Sequence, residues 1–203
     1  MRQFVLTALA GLALSGLAMA NITVIATPTV TPTAGDWTWT YDVTLGGDET
    51  ATSSVPGGSC AGTQLPGCSG TFFTIYDFAG LVGTPTAPTG WTEETQTTGA
   101  TPGGVTPFLT DDPTISNITF YYTGANIPGP MDLGNFVAVS MYGNGVRGDY
   151  TEQSNSDPTG TLEAGGGFTE VATSTPEPMT LPIVSVAMIG LVALRRRFVT
   201  QSK

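Results

Sequence analysis

The sequence predicts an all-β domain, a single β-sandwich-like unit that spans residues 21–171. Short segments rich in β-forming residues alternate with Gly, Pro and Asn turn signals along this region. No apolar pattern with a period of 3.6 residues occurs between Asn21 and Thr175. The region has the length of one domain, so frequent strands without helices predict two packed sheets.

The clearest strand is predicted at residues 37–44, where apolar and polar residues alternate perfectly. Trp37, Trp39, Tyr41 and Val43 share one face, and Gly46-Gly47-Asp48 ends the segment. A period of two is typical of a core-facing strand, so we expect this aromatic stripe to be buried. Stacking on sugar rings is the alternative.

Further strands follow from the same reasoning. Residues 72–78 are apolar on both faces, which is typical of a central strand, and Asn144-Gly145 predicts a hairpin turn. Two more strands are predicted at residues 22–26 and 168–172. Two others are indicated by residues that share a face: Ile118, Phe120 and Tyr122 in one strand, and Val137, Val139 and Met141 in the other. Residues 27–33 are predicted as a loop, and residues 165–167 and 172–176 as flexible segments.

The charge of this domain is strongly unbalanced. The formal net charge of the chain is −10, and Arg147 is the one basic residue between Asn21 and Thr175. Such a domain should repel nucleic acid. Its acidity favours solubility, with calcium binding at Asp48-Glu49 or Asp111-Asp112 as the alternative, although neither pair forms a spaced metal-binding loop.

The chain contains no His and no Lys before Lys203. These absences exclude Ser-His-Asp and Cys-His catalysis, His-ligated zinc and Schiff-base chemistry. We therefore predict no enzyme activity, catalytic residue, cofactor or metal, while a glycosidase carboxylate pair assembled in space remains an alternative. Cys60 and Cys68 are the only cysteines and lie in a Gly- and Pro-bearing loop, so we predict that they form a structural disulfide.

Two short segments need an alternative interpretation. Trp91, before Glu93-Glu94, is a candidate surface platform for a sugar. Arg147-Gly148-Asp149 spells an integrin-binding motif, but we interpret it as a turn at the exit of the predicted hairpin.

Residues 1–20 have the three-part layout of a secretory signal peptide. Arg2 supplies the positive charge, residues 4–17 are almost wholly apolar or small, and Ala18-Met19-Ala20 places small residues at the two positions that signal peptidase reads. We expect cleavage after Ala20 and export of the domain, with an N-terminal transmembrane anchor as the alternative.

The C-terminal region has the residue pattern of a second membrane-targeting segment. A linker at residues 172–178 carries Pro176-Glu177-Pro178, the apolar residues 179–194 follow, and Arg195, Arg196 and Arg197 begin a tail at residues 195–203. The 16 apolar residues would span about 24 Å as a helix, short of the roughly 30 Å hydrocarbon core but sufficient with snorkelling and local thinning. The arginines act as a stop signal and predict a cytoplasmic tail.

Pro176-Glu177-Pro178, the apolar span and the arginine cluster together resemble a PEP-CTERM sorting domain. The resemblance implies recognition by an exosortase, a membrane-embedded cysteine transpeptidase that cuts near the motif. It also implies transient residence in the inner membrane, then delivery to the cell surface or extracellular matrix and its exopolysaccharide. The middle resembles the ectodomain type of such proteins through Phe72–Phe78 and Asp132-Leu133-Gly134-Asn135-Phe136.

These expectations describe a structural surface protein. A carbohydrate-binding module is the alternative, and a carbohydrate-active enzyme is a further one. A plain C-terminal membrane anchor is the alternative to a sorting signal.

Overall fold

A computed structural model describes residues 22–54, 64–65, 70–157 and 159–174 of the chain. Every regular element in these residues is a β-strand, which confirms the all-β prediction. No helix in the described part is long and apolar enough to cross a membrane. The predicted signal peptide, the Cys60–Cys68 disulfide, Pro176-Glu177-Pro178, the span at 179–194 and the arginine tail lie outside the described residues.

The described residues form thirteen strands. They are β1 Ile22–Val24, β2 Thr29–Thr33, β3 Asp36–Leu45, β4 Glu49–Ala51, β5 Gln64–Leu65, β6 Phe72–Phe78, β7 Trp91–Gln96, β8 Thr101–Pro102, β9 Ser116–Tyr122, β10 Ile127–Pro128, β11 Met131–Ser140, β12 Gly145–Ser156 and β13 Leu162–Ala172.

The smaller of the two main sheets is built around β3. Strand β11 pairs antiparallel along one edge of β3, while β1 and β2 share its other edge. The predicted alternation of β3 is confirmed, because Trp39, Tyr41, Val43 and Leu45 are buried and the residues between them are not. A bulge between Asp132 and Gly134 shifts the register of β11.

The larger sheet has the order β13–β12–β6–β9–β7, with β4 and β10 continuing from the end of β12. Strand β6 lies between β12 and β9, which confirms the prediction of a central strand. Strands β5 and β8 form a separate parallel pair.

Both main sheets contribute to one hydrophobic core. Phe136 of the smaller sheet lies 4.9 Å, centroid to centroid, from both Phe73 and Phe120 of the larger sheet. Trp39 meets Phe78 edge to face at 5.9 Å. These ring contacts hold the two layers together in a β-sandwich-like arrangement.

The predicted loop at residues 27–33 is wrong, because Thr29–Thr33 forms strand β2. Ala34 and Gly35 both have positive φ, of 43° and 103°, and therefore make a two-residue hairpin turn into β3. Strand β2 pairs with β3 alone, so Pro32 lies in an edge strand, where a missing amide is tolerated.

The flexible segment predicted at residues 165–167 is also wrong, because these glycines lie inside β13. A Cβ at Gly166 would approach the Tyr150 carbonyl oxygen to 2.6 Å, and one at Gly167 would approach the Tyr150 ring to 2.8 Å. The glycines therefore allow β13 to lie closely against β12.

The hairpin predicted at Asn144-Gly145 is wrong as well. Strand β11 belongs to the smaller sheet and β12 to the larger one, so residues 141–144 cross between the layers. The indole nitrogen of Trp39 donates to the Tyr142 carbonyl at 3.0 Å, and Ser140 Oγ donates to the Ala79 carbonyl at 2.7 Å. Two side chains of the smaller sheet thus fix this crossing, and one of them binds the backbone that follows β6 of the larger sheet.

Of the two strand faces predicted from residue alternation, the one in β9 is confirmed and the one in β11 is wrong. Ile118 and Phe120 are buried, as expected for β9. In β11 the core-facing residues are Phe136, Ala138 and Ser140, while Val137 and Val139 are half-buried and Met141 is 56 % exposed. The apolar face proposed for β11 is therefore the outer face.

Candidate functional site

The most exposed aromatic contact in the described residues lies where β12 begins. Phe108 is 60 % exposed and stacks on Phe168 with the ring centroids 5.0 Å apart and a tilt of 34°. The guanidinium carbon of Arg147 lies 3.5 Å from the centroid of the Phe168 ring. Together with Leu109 and Val146, which are also exposed, these residues form what we call the Arg147 patch.

Two open cavities adjoin the Arg147 patch, and Arg147 and Val146 line both. One has a volume of about 310 Å³ and includes Ala26, Phe168 and Glu170 in its wall. The other has a volume of about 260 Å³ and reaches Asp112 and Ser174. The patch therefore combines apolar rings, a cation and concave surface beside the end of β13, which is the composition of many small-molecule and sugar sites.

Asp149 positions the loop that carries Phe108. Its side chain is 2 % exposed, and Oδ2 accepts the Leu109 amide at 3.0 Å, with the Phe108 amide also donating to the carboxylate. Burial raises the pKa of Asp149, and the backbone donors oppose that shift. Hydrogen bonds to a buried charge hold a loop firmly, so the exposed ring is presented on a fixed backbone.

A second carboxylate supports the same loop from β6. Asp77 has a positive φ of 55°, and its Oδ1 accepts the Asp112 amide at 2.9 Å. Burial raises the pKa of the Asp77 carboxyl, with the neighbouring Asp111 and Asp112 adding to the shift. Asn117 links β6 to this loop, because its Oδ1 accepts the Asp77 amide and its Nδ2 donates to the Asp111 carboxylate.

The acidic pairs considered for calcium make internal contacts instead. Asp112 accepts hydrogen bonds from the Thr114 amide and hydroxyl, which lower its pKa. Glu49 is buried and accepts the Ser154 hydroxyl at 2.7 Å. Among the described residues no group of three or more acidic, His or Cys side chains could hold a metal ion.

The predicted aromatic sites are part of the core. Trp39 and Tyr41 are buried, and Trp37 is half-buried against the same cluster. The surface platform predicted at Trp91 is wrong: its ring packs against Phe136 at 5.0 Å and Tyr122 at 5.2 Å. Trp91 is half-buried, and aromatic rings from both layers hold it against the core cluster.

Arg147-Gly148-Asp149 is not a turn, because it lies inside β12 and pairs with residues 168–170 of β13. Asp149 is buried and bonded to the loop, so the tripeptide cannot present both charges to a partner. Only Arg147 is exposed. Sequence reasoning did not single out Phe108 or Phe168 as site residues, although the one cation of an acidic domain could have directed attention to this position.

The middle of β12 carries the most deeply buried carboxyl of the described residues. Glu152 is 0 % exposed, and its Oε2 accepts the Ile22 amide at 3.3 Å. Burial, with the nearby Glu49 and Glu163, raises the pKa of Glu152 to about 8. This carboxyl is enclosed by the sandwich, so it does not offer the open pair of acids that a glycosidase needs.

The described part of the chain therefore offers two distinct features, an exposed Arg147 patch and an enclosed carboxyl at Glu152. Both lie on β12, about five residues apart, or roughly 17 Å along the strand. Comparison with known proteins finds no matching family model, no matching curated protein and no matching solved structure.

Proposed function

We propose that this chain is an exported structural protein of the cell surface or extracellular matrix, sorted by an exosortase through its C-terminal tail and associated with exopolysaccharide. The observation that carries the proposal is the order of its segments. A segment with the residue pattern of a signal peptide precedes the domain, and Pro176-Glu177-Pro178, an apolar span and three arginines follow it.

The described fold is compatible with processing at the tail. Strand β13 ends at Ala172, and only residues 173–175 separate it from Pro176. A membrane enzyme would therefore cut beside a finished strand, whose backbone is already paired with β12. A short exit keeps the sandwich close to the bilayer until the motif is cut.

The enclosed aromatic and acidic residues favour a structural role over catalysis. The rings of β3 are packed into the core, and Glu49 and Glu152 are both buried. With a single cation among many carboxylates, the outside of the domain resists association with anionic polymers. Such a domain is suited to remain soluble at a surface rich in polysaccharide.

The test is fractionation of producing cells combined with intact-mass analysis of the protein. Replacing Pro176-Glu177-Pro178 by three alanines should retain the chain in the inner membrane with residues 179–203 attached. The parent should reach the surface fraction with a mass that lacks those residues. Thr173-Ser174-Thr175→Ala is the matched control, because it alters three adjacent residues and leaves the motif intact.

Two results would overturn the sorting proposal. One is a surface fraction whose mass includes Arg195 to Lys203. The other is an unchanged distribution of the alanine variant, which would leave the tail as a plain anchor.

A second function, carbohydrate binding, is favoured by the Arg147 patch alone. An exposed Phe108 ring, supported from below by Phe168, offers an apolar face to the C–H side of a pyranose. The exposed guanidinium of Arg147, which lies over the Phe168 ring, can donate hydrogen bonds to sugar hydroxyl groups. The acidic surroundings favour a neutral glycan over an acidic one.

Affinity electrophoresis of the domain in gels containing the producing strain's own polysaccharide tests this function. Phe108→Ala should abolish retardation, while Met141→Ala, which removes an equally exposed apolar side chain elsewhere, should keep it. Equal migration of parent and Phe108→Ala in every gel would reject carbohydrate binding at the patch and leave the structural role standing.

A further inference from the structure

Glu152 is a buried carboxylate that lacks a full set of partners. Its Oε2 accepts a single backbone amide, that of Ile22, and its Oε1 has no hydrogen-bond partner among the described residues. Leaving an acceptor of this kind buried and unpaired destabilises the fold, because the desolvation of the oxygen is not compensated by a hydrogen bond. One oxygen of this carboxyl binds the start of β1 and the other is unpaired, so a donor is missing close to that point.

The groups around Glu152 supply no positive charge. Glu49 of β4 and Glu163 of β13 both raise its pKa, and the phenol of Tyr150 lies on the same face of β12. Its neighbours in register are Phe73 on β6 and Gly165 on β13. Arg147, the one cation in the described part of the chain, is at the far end of the strand.

The first amide of strand β1 lies at this carboxyl. Ile22 pairs with Leu45 in the ladder that holds β1 to β3. The Ile22 amide donates to Glu152 and the Val24 amide to the Tyr150 hydroxyl, so two side chains of β12 also bind β1. Successive residues of an extended chain advance by roughly 3.5 Å. The backbone nitrogen of Asn21 is therefore one residue from a nitrogen already bonded to Glu152.

Removal of the predicted signal peptide changes the chemistry of that nitrogen. Hydrolysis of the Ala20–Asn21 peptide bond consumes one water and leaves a carboxylate on Ala20 and an amine on Asn21. An α-amino group has an ordinary pKa of about 7.7–8.0 and gains a proton next to a carboxylate. A neutral amide, which offers one donor, becomes an ammonium with three.

We propose that the α-ammonium of Asn21, created by signal peptidase, pairs with Glu152 and completes the fold. The inference rests on the export step of the proposed function and is independent of exosortase sorting. In the precursor the same carboxyl remains protonated or unpaired, so the domain is less stable before cleavage than after it. Cleavage then acts as a maturation switch that strengthens the sandwich only on the exported side.

The chain is well suited to a chemical test. A protein that begins at Asn21 has at most two amines, the α-amine and Lys203. The mature protein would be purified from cells expressing the full-length gene, unfolded, acetylated at its amines and refolded. Identical treatment of Glu152→Gln controls for Lys203 and for any general effect of acetylation.

Acetylation should lower the Tm of the parent by roughly 5–15 °C, as expected for breaking one buried ion pair in a domain of this size. It should change the Tm of Glu152→Gln by less than about 2 °C. In the folded parent, reaction of the Asn21 amine should be at least about tenfold slower than in the denatured chain, because a buried ion pair shields it. This rate is measured on the N-terminal peptide and needs no variant, so it stands even if Glu152→Gln does not fold.

An equal Tm before and after acetylation of the parent would overturn the pairing, and so would an Asn21 amine that reacts as fast when folded as when denatured. A mature amino terminus other than Asn21 would overturn it too. By contrast, a protein that begins at Asn21 and pairs with Glu152 but stays in the membrane would reject the sorting proposal alone.

Discussion

Arg147 and Glu152 lie on the same strand, β12, but their side chains have opposite environments. Arg147 is exposed and rests on the Phe168 ring, whereas Glu152 is enclosed and receives one backbone amide. The difference follows from the neighbours of each residue. Residues 145–149 of β12 pair with β13 on one edge only, whereas residues 150–153 pair with both β13 and β6.

The comparison teaches that the packing around a charge decides what it can do here. Asp149 pairs with β13 alone but is buried and bonded to the loop that carries Phe108, whereas Arg147 is exposed and can meet a ligand. Between two paired neighbours the carboxylate loses water, and its pKa rises to about 8. Strand β12 thus carries an exposed cation, Arg147, that can bind a ligand. It also carries a buried carboxyl, Glu152, whose protonation changes the stability of the fold.

The largest expected contrast between the two regions comes from truncating one ring in each. Phe73, which pairs with Glu152 in register, lies in the core, so Phe73→Ala should lower the free energy of unfolding by about 3–5 kcal/mol. Phe108→Ala in the Arg147 patch should cost no more than about 1 kcal/mol. Urea denaturation of both variants measures the difference, and similar losses would show that the patch ring is part of the core.

The next contrast is in the response to pH. The raised pKa of Glu152 means that the folded state binds the proton more tightly than the unfolded state, whose carboxyl titrates near 4.5. In the chain acetylated at Asn21, the contribution of Glu152 to stability should therefore be fully present below pH 4.5 and be lost as the pH rises to about 8. For one proton the slope approaches about 1.4 kcal/mol per pH unit.

Glu152→Gln isolates this contribution, because the buried Asp77, Asp149 and Glu49 titrate in both proteins. The measurement is the difference in unfolding free energy between the acetylated parent and the acetylated variant at several pH values. A difference that stays constant from pH 4.5 to 8 would contradict a protonated Glu152.

The smallest expected effect concerns the exposed cation. Arg147→Ala removes the guanidinium from the Phe168 ring and should lower the free energy of unfolding by about 0.5–1 kcal/mol. Arg147→Lys keeps the charge but loses planar stacking, so its stability should lie between those of the parent and the alanine variant. Thermal unfolding at low salt measures the series; a lysine variant less stable than the alanine variant would contradict the stacking.

The sequence predicted the strands whose pattern is set by burial on one or two faces. Alternation located β3, and an unbroken apolar run located β6, because each reports directly on the faces that meet the core. Turn chemistry was less informative. Asn144-Gly145 has the residues of a hairpin turn, but the pairing of β11 with β3 and of β12 with β6 takes the chain between layers instead.

Glycine was misleading for a related reason. Gly165-Gly166-Gly167 has the composition of a flexible linker, yet Tyr150 on the neighbouring strand requires small residues at that place. The Arg147 patch and the surroundings of the buried Glu152 carboxyl could not be predicted, because each joins residues far apart in the chain. Phe108 meets Phe168, and Ile22 meets Glu152, only after both sheets have assembled.

The eleven residue pairs between β12 and β13 have a mechanical consequence for any chain held by its C-terminal end. A pull on Ser174 along the strand axis is shared by the whole ladder at once, so its bonds must shear together. A pull sideways opens the ladder one pair at a time from Gly145 and Ala172. The domain should therefore withstand drag far better when it is stretched away from its tether than when it is peeled across the surface.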